Sequence, residues 1–348
     1  LHLQAFRFAN SFAPLAEWEG TEAILLASHL AFQLGAVKTS ENWVKKAWRN
    51  DKKHPRALFY RAADVLHNKG AIPALVFLNK YGADFKGDTK LTSWWYSLHA
   101  QVLSQLRDFK TADLWHAKAV EVCPEESWVW VSKAYTLEQQ DRYEDSLEMA
   151  QKGFAFEQSQ RTTVSQLAHI LSLLERYDEA IEVLNKAANE LENFWIVRQL
   201  ADLQTELGLH KEAQTSFDKM LELSPMREEE LEKYLFAGMS DVAYMNGDLS
   251  KAIEFAEKSK NPFHLKIKES LENLKGDENR VHLKLGFIRQ HHLTCAPATL
   301  SNIARFWQKK AEHLELANEM CYEGTPAYKE RIWASENGWE TCEFTVNW

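Results

Sequence analysis

The strongest constraint in this sequence is a short pattern that recurs about every 34 residues. In each copy an aromatic or aliphatic residue is followed by polar residues and then by a small residue. The small residues are Ala112, Ser146, Ala180 and Ala213, spaced 34, 34 and 33 residues apart. Spacing of this length is typical of arrays in which each repeat is one supersecondary unit that stacks on its neighbours.

The segments between these copies read as helices. Prolines and glycines are few (8 and 13), and apolar residues recur at intervals of three and four. Twelve residues before each small residue stands an alanine: Ala100, Ala134, Ala168 and Ala201. Two neighbouring helices approach closely only where the facing side chains are small. The sequence therefore predicts helix–turn–helix units, each of which buries its apolar side against the next.

These residues resemble the tetratricopeptide repeat family, whose unit is a 34-residue helix–turn–helix. The resemblance implies a mainly α, helical-hairpin solenoid over residues 1–275, with an irregular helical bundle as the alternative for its centre. The four best repeats are expected at 93–126, 127–160, 161–193 and 194–227. Degenerate units are expected near 21–54, 55–92 and 231–262.

In arrays of this family the first helix of each pair lines a concave groove. By register that groove contains Trp94, Trp128, Tyr135, Trp195 and Arg198. The three tryptophans share one repeat position, and exposed aromatic side chains suit peptide recognition. We therefore expect a protein or peptide ligand, although packing between neighbouring repeats would also explain the tryptophans. The lysine and asparagine clamp of the family's chaperone-tail binders is absent.

Composition narrows the partner classes. The net charge is −9 and there is no basic run, so we expect no nucleic-acid partner. The longest apolar stretches, such as Ala23–Ala27, are too short to span a bilayer, so we expect no membrane insertion. The four cysteines form no CxxC pair, which fits a reducing cytoplasm and suggests neither disulfides nor zinc. We expect no cofactor, and we leave the oligomeric state open.

The last seventy or so residues lose the repeat spacing. A charged turn at 276–279 suggests a domain boundary, and the alternating apolar residues of 281–287 predict a strand. Apolar residues then recur at helical spacing from Leu300 to Trp307, so a helix should begin close to Cys295, with Pro297 in its first turn. A thiol at a helix N-terminus is placed to act as a thiolate nucleophile.

The segment from Gln290 to Leu300 is similar to the motif of the papain-like peptidases that remove double-glycine leaders from bacteriocins. That resemblance implies that Cys295 is the nucleophile and that Gln290 stabilises the oxyanion. It also implies that 276–348 is the first half of a small α/β peptidase domain, with a second helix near His313–Met320 and a turn into a strand at 338–341. Ala296 departs from the family, which has glycine there.

The residues after Cys295 do not complete a catalytic set. The only later histidine is His313, and the family's histidine and aspartate come further along the chain, so this chain is expected to be inactive by itself. It begins at Leu1 rather than Met, which suggests a fragment. Two alternatives stay open: a non-enzymatic scaffold with a degenerate docking domain, and a cysteine-dependent acyltransferase or amidase. His291 and His292 point in different directions along the chain, so we expect no metal site there.

Overall fold

The regular secondary structure in the described part of the chain is helical, so the prediction of a mainly α protein is confirmed. The computed structural model describes residues 2–82, 85, 87–274, 283–322 and 324–342. These belong to two compact units, 1–275 and 276–348. No described helix combines the length and apolar character that crossing a membrane requires.

The helices fall into hairpins joined by short turns. In chain order they are α1 (His2–Asn10), α2 (Thr21–Gln33), α3 (Val37–Asn50), α4 (Pro55–Lys69), α5 (Ala71–Tyr81), α6 (Thr89–Gln105), α7 (Phe109–Val122), α8 (Ser127–Glu138), α9 (Tyr143–Phe156), α10 (Arg161–Leu173), α11 (Tyr177–Glu190), α12 (Phe194–Glu206), α13 (His210–Leu223), α14 (Glu229–Met245), α15 (Leu249–Ser259), α16 (Pro262–Glu272), α17 (Cys295–Phe306), α18 (His313–Met320) and α19 (Ala327–Glu336). A short 3-10 helix, Leu15–Glu17, lies between α1 and α2.

The turns inside the hairpins share one backbone geometry. Each has a residue with positive φ two positions before the second helix: Arg107, Asp141, Glu175, Gly208 and Gly247. The next residue donates its N–H to a carbonyl five positions back, as Asp108 does to Leu103 at 3.0 Å. This bond uses a carbonyl that the helix end leaves without a partner. The recurring sequence pattern is therefore the start of the second helix after a fixed turn.

Small residues meet where the two helices of a hairpin approach. The alanines of the first helices and the small residues of the second are fully buried: Ala100, Ala112, Ala134, Ser146, Ala168, Ala180, Ala201 and Ala213. Where serine replaces alanine, its hydroxyl donates to the backbone carbonyl of the facing residue. The Ser146 hydroxyl lies 2.7 Å from the Ala134 oxygen. The Ser240 hydroxyl lies 2.8 Å from the Ala252 oxygen, also twelve residues away.

The end of α2 and the turn that follows it pack against residues far along the chain. The rings of Phe32 and Trp195 are stacked, with centroids 4.8 Å apart. The side-chain amide of Asn193 donates to Gln33 Oε1 at 2.9 Å, and the Met226 N–H donates to the Leu34 oxygen at 3.2 Å. These contacts join the hairpin of α2 and α3 to the segment between α11 and α14. We refer to this set of contacts as the closure of the array.

A carboxylate from the distant segment also caps α3. The residue before α3 has no side chain that caps it, and the Glu228 carboxylate accepts hydrogen bonds from the N–H groups of Lys38 and Thr39, both at 2.8 Å. It accepts a third from the Thr39 hydroxyl at 2.7 Å. A negative group at a helix N-terminus meets both the free N–H groups and the positive end of the helix dipole. Glu228 thus makes the start of α3 depend on the closure.

In the second unit, α17 to α19 bury a small core that includes Ala304, Leu316, Met320 and Trp333. Helix α17 begins at Cys295 and α18 spans His313–Met320, as the sequence predicts. The expected α/β half-domain is not supported, because the described residues of this unit contain no strand.

The strand prediction for 281–287 is wrong in its described part, 283–287; residues 281 and 282 lie outside the described residues. The Leu285 N–H donates locally to the Leu283 oxygen at 2.8 Å, and the Gly286 oxygen accepts from the Asn302 side chain at 2.5 Å. Alternating apolar residues form a strand only where a neighbouring strand accepts these bonds. A strand is also expected after Gly338. Residues 339–342 have no regular secondary structure, and the rest of the expected strand lies outside the described residues.

Substitution of Gly35 should open the closure. Gly35 has φ +94°, and a Cβ there would lie 2.7 Å from Leu231 Cδ2 and 3.2 Å from Arg227 Cα. We expect Gly35→Ala to speed hydrogen exchange at Lys38, Thr39 and Met226. Gly247 is the matched control, because it has φ +82° in the equivalent turn and no atom within 4 Å. Gly247→Ala should cost only the strain of the left-handed backbone, ~1 kcal/mol. Equal exchange rates at those three amides in both variants would contradict the closure.

Stability should fall in mild acid because of buried histidines. Burial lowers the pKa of His99 to about 4 and that of His116 to about 3, from 6.5. The unfolded chain therefore binds protons first as the pH falls, and these groups reduce the free energy of unfolding between about pH 6.5 and 4, by up to ~1.4 kcal/mol per unit of pKa difference.

The His116→Gln variant tests this, because glutamine retains a polar group opposite the Thr136 hydroxyl, which lies 2.9 Å from His116 Nε2. Thermal unfolding midpoints measured between pH 7 and 4.5 should fall less steeply for the variant than for the original protein. Parallel pH profiles would show that His116 does not contribute.

Candidate functional site

A cavity of about 460 Å³ lies between the first hairpins and the centre of the array. Helices α2, α3 and α4 supply most of its wall, and Trp94, Trp128 and residues 160–162 complete it. Its volume falls within the range of pockets that hold drug-sized molecules, ~300–1,000 Å³. The cavity can therefore hold a segment of a few residues or a molecule of similar size.

Aromatic side chains form one side of the cavity. The Trp94 ring lies 5.4 Å from the Phe59 ring, centroid to centroid, and Lys90 Nζ lies 5.4 Å from the Trp94 centroid. Trp128 follows one repeat later at the same register position, and Tyr60 contributes from α4. Aromatic rings offer a large contact area to a ligand at a small cost in side-chain entropy.

Three polar groups of the cavity residues are buried without a hydrogen-bond partner. They are Trp94 Nε1, Trp128 Nε1 and Thr162 Oγ1. An indole nitrogen can only donate a hydrogen bond, and a hydroxyl can donate one. A buried donor without an acceptor costs ~1–3 kcal/mol. A ligand with acceptor groups, inserted among these side chains, would remove that cost.

The acidic side chains of the cavity wall have cationic partners. Asp64 is buried, ion-paired with Arg61, and lies 3.5 Å from Lys45 Nζ. Glu41 lies 3.8 Å from the same Lys45 Nζ. These carboxylates are therefore already neutralised within the protein.

Arg161, the first residue of α10, has no such counter-ion. Within the described part of the chain no carboxylate lies within 4 Å of its guanidinium, and desolvation lowers its pKa. The Arg161 guanidinium carbon, Cζ, lies 5.7 Å from the centroid of the Phe32 ring, which in turn stacks on Trp195. His29, also in the wall, has its pKa lowered to about 4 by burial and then by nearby cations that include Arg161. The Arg161 end of the cavity thus carries an uncompensated positive charge.

The structure separates the groove residues that the repeat register groups together. Trp94 and Trp128 line the cavity. Trp195 instead stacks on Phe32, and its Nε1 donates to the Phe32 oxygen at 3.1 Å. Tyr135 accepts a hydrogen bond from the Gln105 side chain at 3.2 Å.

Arg198, the remaining groove residue, faces side chains of its own array. Its guanidinium lies 4.2 Å from the centroid of the Tyr234 ring and 3.8 Å from the Asp202 carboxylate.

Sequence reasoning missed the contribution of α2 to α4 and of Arg161. The hairpins before residue 93 have degenerate repeats, so their register gives no guide to which residues face the groove. Arg161 stands one position before the residue equivalent to Trp94, Trp128 and Trp195. A charged residue next to a repeated aromatic position was the only signal in the sequence.

Cys295 and Gln290 are both exposed, five residues apart, and Cys295 is the first residue of α17. Between them, the Thr294 hydroxyl accepts from the His291 N–H and shares a hydrogen bond with His313 Nε2, each at 2.8 Å. In the described part of the chain no hydrogen bond joins Cys295 Sγ to a histidine. The buried His313 therefore supports the turn before α17 rather than the thiol.

Residues 164–189 match the family model of the tetratricopeptide repeat. The matched segment lies within α10 and α11, the hairpin expected at 161–193. The neighbouring hairpins share its turn geometry and its spacing. No curated protein matches the sequence.

Solved structures with a similar arrangement include a tetratricopeptide repeat protein from Parabacteroides merdae, 15% identical, covering 73% of this chain and 99% of that one with a TM-score of 0.41. PilF of Pseudomonas aeruginosa is 15% identical, with coverage of 63% and 98% and a TM-score of 0.44. YrrB, described as a TPR protein with an unusual peptide-binding site, is 18% identical, with coverage of 61% and 97% and a TM-score of 0.39. The fold follows from the repeat and the family match: a mainly α, tetratricopeptide-type helical solenoid.

Proposed function

We propose that residues 1–275 form a scaffold that binds a protein or peptide segment in the cavity beside Trp94 and Trp128. The observation that carries this proposal is the composition of the wall, whose residues combine aromatic rings with buried donors that have no acceptor. A peptide supplies apolar side chains for the rings and backbone carbonyl groups for the donors. Tetratricopeptide-type arrays are scaffolds for protein interaction, which agrees with this use of the cavity.

Selection from a displayed library of random decapeptides tests the scaffold. Peptides enriched on the full chain should bind the Trp128→Ala variant at least about tenfold more weakly, because a central aromatic anchor is worth ~2 kcal/mol or more. Leu114→Ala is the matched control, since Leu114 is a 61% exposed apolar residue on α7 that does not line the cavity. Circular dichroism should show normal helix content for both variants. Equal affinity for all three proteins would contradict the proposal.

A second candidate concerns residues 276–348. We propose that Cys295 is the nucleophile of a papain-like peptidase unit and that Gln290 assists at the oxyanion, as the resemblance of this segment implies. The favourable observation is the exposure of the thiol at the start of α17. The described residues bring no histidine to this thiol, so in this geometry they do not supply the base. Non-enzymatic docking and acyl transfer are the competing uses of the same unit.

Alkylation by iodoacetamide at pH 6, followed by peptide mass spectrometry, distinguishes an activated thiol from an ordinary one. Cys342 is also exposed and serves as the internal control. If Cys295 is activated, it should react at least about tenfold faster than Cys342, because the thiolate is the attacking species. The Cys295→Ala variant should lose only the fast reaction. Similar rates at the two cysteines would reject the nucleophile and favour a docking role.

A further inference from the structure

The segment from α3 to α5 carries a charge opposite to that of the whole protein. Residues 38–80 contain ten lysines and arginines and three aspartates and glutamates, whereas the chain has a net charge of −9. Seven of these ten cations are exposed and have no carboxylate of the described residues within 4 Å. They include Lys46, Arg49, Lys52, Lys53 and Lys80. This part of the surface is therefore suited to an anionic partner.

Three aromatic rings lie among these cations, on α3 and α5. The centroid of the Trp48 ring lies 6.0 Å from that of Phe77 and 6.3 Å from that of Tyr81. Lys52 Nζ lies 5.5 Å from the Trp48 centroid, and Lys80 Nζ lies 5.3 Å from the Tyr81 centroid. The attraction between a ring and an ammonium group holds both lysines beside the rings. None of these five residues lines the cavity.

Apolar side chains of α5 protrude next to the rings. Ile72 is 68% exposed and Val76 is 64% exposed. They lie two turns and one turn before Lys80 on the same side of the helix. Helix α5 thus presents an apolar strip that ends at the cations and rings. We refer to Trp48, Lys52, Ile72, Val76, Lys80 and Tyr81 as the α3–α5 patch.

Two donors beside the patch are buried without a hydrogen-bond partner, namely Trp48 Nε1 and Arg61 Nε. Arg61 Cζ lies 5.6 Å from the Trp48 centroid, and its guanidinium shares Asp64 with Lys45. Desolvation and then the charge of Arg49 lower the pKa of Arg61. An anionic group with acceptor oxygens would offset this repulsion.

We propose that the α3–α5 patch binds the surface of a bilayer that contains anionic phospholipid. The lipid phosphates supply the negative charge that the exposed cations lack. Tryptophan and tyrosine rings suit the headgroup region, and Ile72 and Val76 reach the boundary of the acyl chains. The contact is peripheral and lies outside the peptide cavity, so it goes beyond the proposed function and fails or holds independently of it.

A bilayer fits the patch better than a single-stranded nucleic acid or an acidic protein. Bases stack on exposed ring faces, but Trp48, Phe77 and Tyr81 are each partly buried, and the side chains that protrude most are aliphatic. An acidic protein would need an apolar pocket that matches Ile72 and Val76. Fluid lipid accepts these side chains without a matching pocket.

Flotation of the full chain with vesicles tests the proposal. The protein should bind vesicles of phosphatidylcholine and phosphatidylglycerol at a ratio of about 7:3, and bind pure phosphatidylcholine at least about tenfold more weakly. The pair Lys52→Gln and Lys80→Gln should weaken binding about 25-fold, because each cation near an anionic surface contributes about fivefold. The pair Ile72→Ser and Val76→Ser should weaken binding about tenfold.

Matched controls lie elsewhere in the first unit. Lys211→Gln with Lys266→Gln removes two exposed lysines of α13 and α16, and Phe263→Ser removes a ring that is 66% exposed. Both variants should bind like the original protein, and circular dichroism should show normal helix content for all variants. An equal loss in the control lysine pair would overturn the assignment to the patch.

Three other outcomes would overturn the bilayer assignment. One is equal binding to the two vesicle compositions, which would remove the role of the cations. Another is complete release from the vesicles by inorganic phosphate at a few millimolar, which would indicate a site for a free phosphate group. The third is no vesicle binding; retention of a fluorescent oligothymidylate that is lost in the variant of Lys52 and Lys80 would then assign the patch to nucleic acid.

Discussion

The contact between small residues inside each hairpin is the constraint on which the rest of the solenoid depends. At these positions the two helices are so close that alanine is fully buried, and a serine turns its hydroxyl onto the backbone of the facing helix, as at Ser146 and Ser240. A larger side chain would separate the helices and change the angle between one repeat and the next. Because each repeat touches mainly its neighbours, such changes accumulate along the array. The return of the first hairpin to residues 193–231 requires that this angle be maintained.

Closure makes the cavity a property of the whole first unit. The end of α2 contributes Phe32 and Gln33, and the distant segment contributes Asn193, Trp195 and the Glu228 carboxylate that caps α3. A linear array leaves its concave surface open along its length. Here the Phe32–Trp195 stack covers one of the three equivalent tryptophans and leaves Trp94 and Trp128 to line the cavity. The cavity is thereby a small space with Arg161 at one end.

The second unit shows where a resemblance in sequence transfers to structure and where it does not. The helices that begin at Cys295 and His313 are specified locally, by apolar spacing and by Pro297 in the first turn. The expected strand at 281–287 needed partners from elsewhere, and in its described part the Leu285 N–H and the Gly286 oxygen are bonded within the unit instead. His313, the one histidine that follows Cys295 in the sequence, shares a hydrogen bond with the Thr294 hydroxyl.

The sequence by itself determined the hairpins, because their turns, facing small residues and apolar stripes are set by contacts within some forty residues of chain. It also determined that Trp94, Trp128 and Trp195 occupy one register position. Only the tertiary structure decided which of them remain available, since the stack of Phe32 on Trp195 joins residues that are 163 positions apart. The same holds for Arg161, whose guanidinium lies against Phe32 with no carboxylate of the described residues within 4 Å. Whether a charge has a partner depends on every segment packed around it, and repeat spacing carries no information about that.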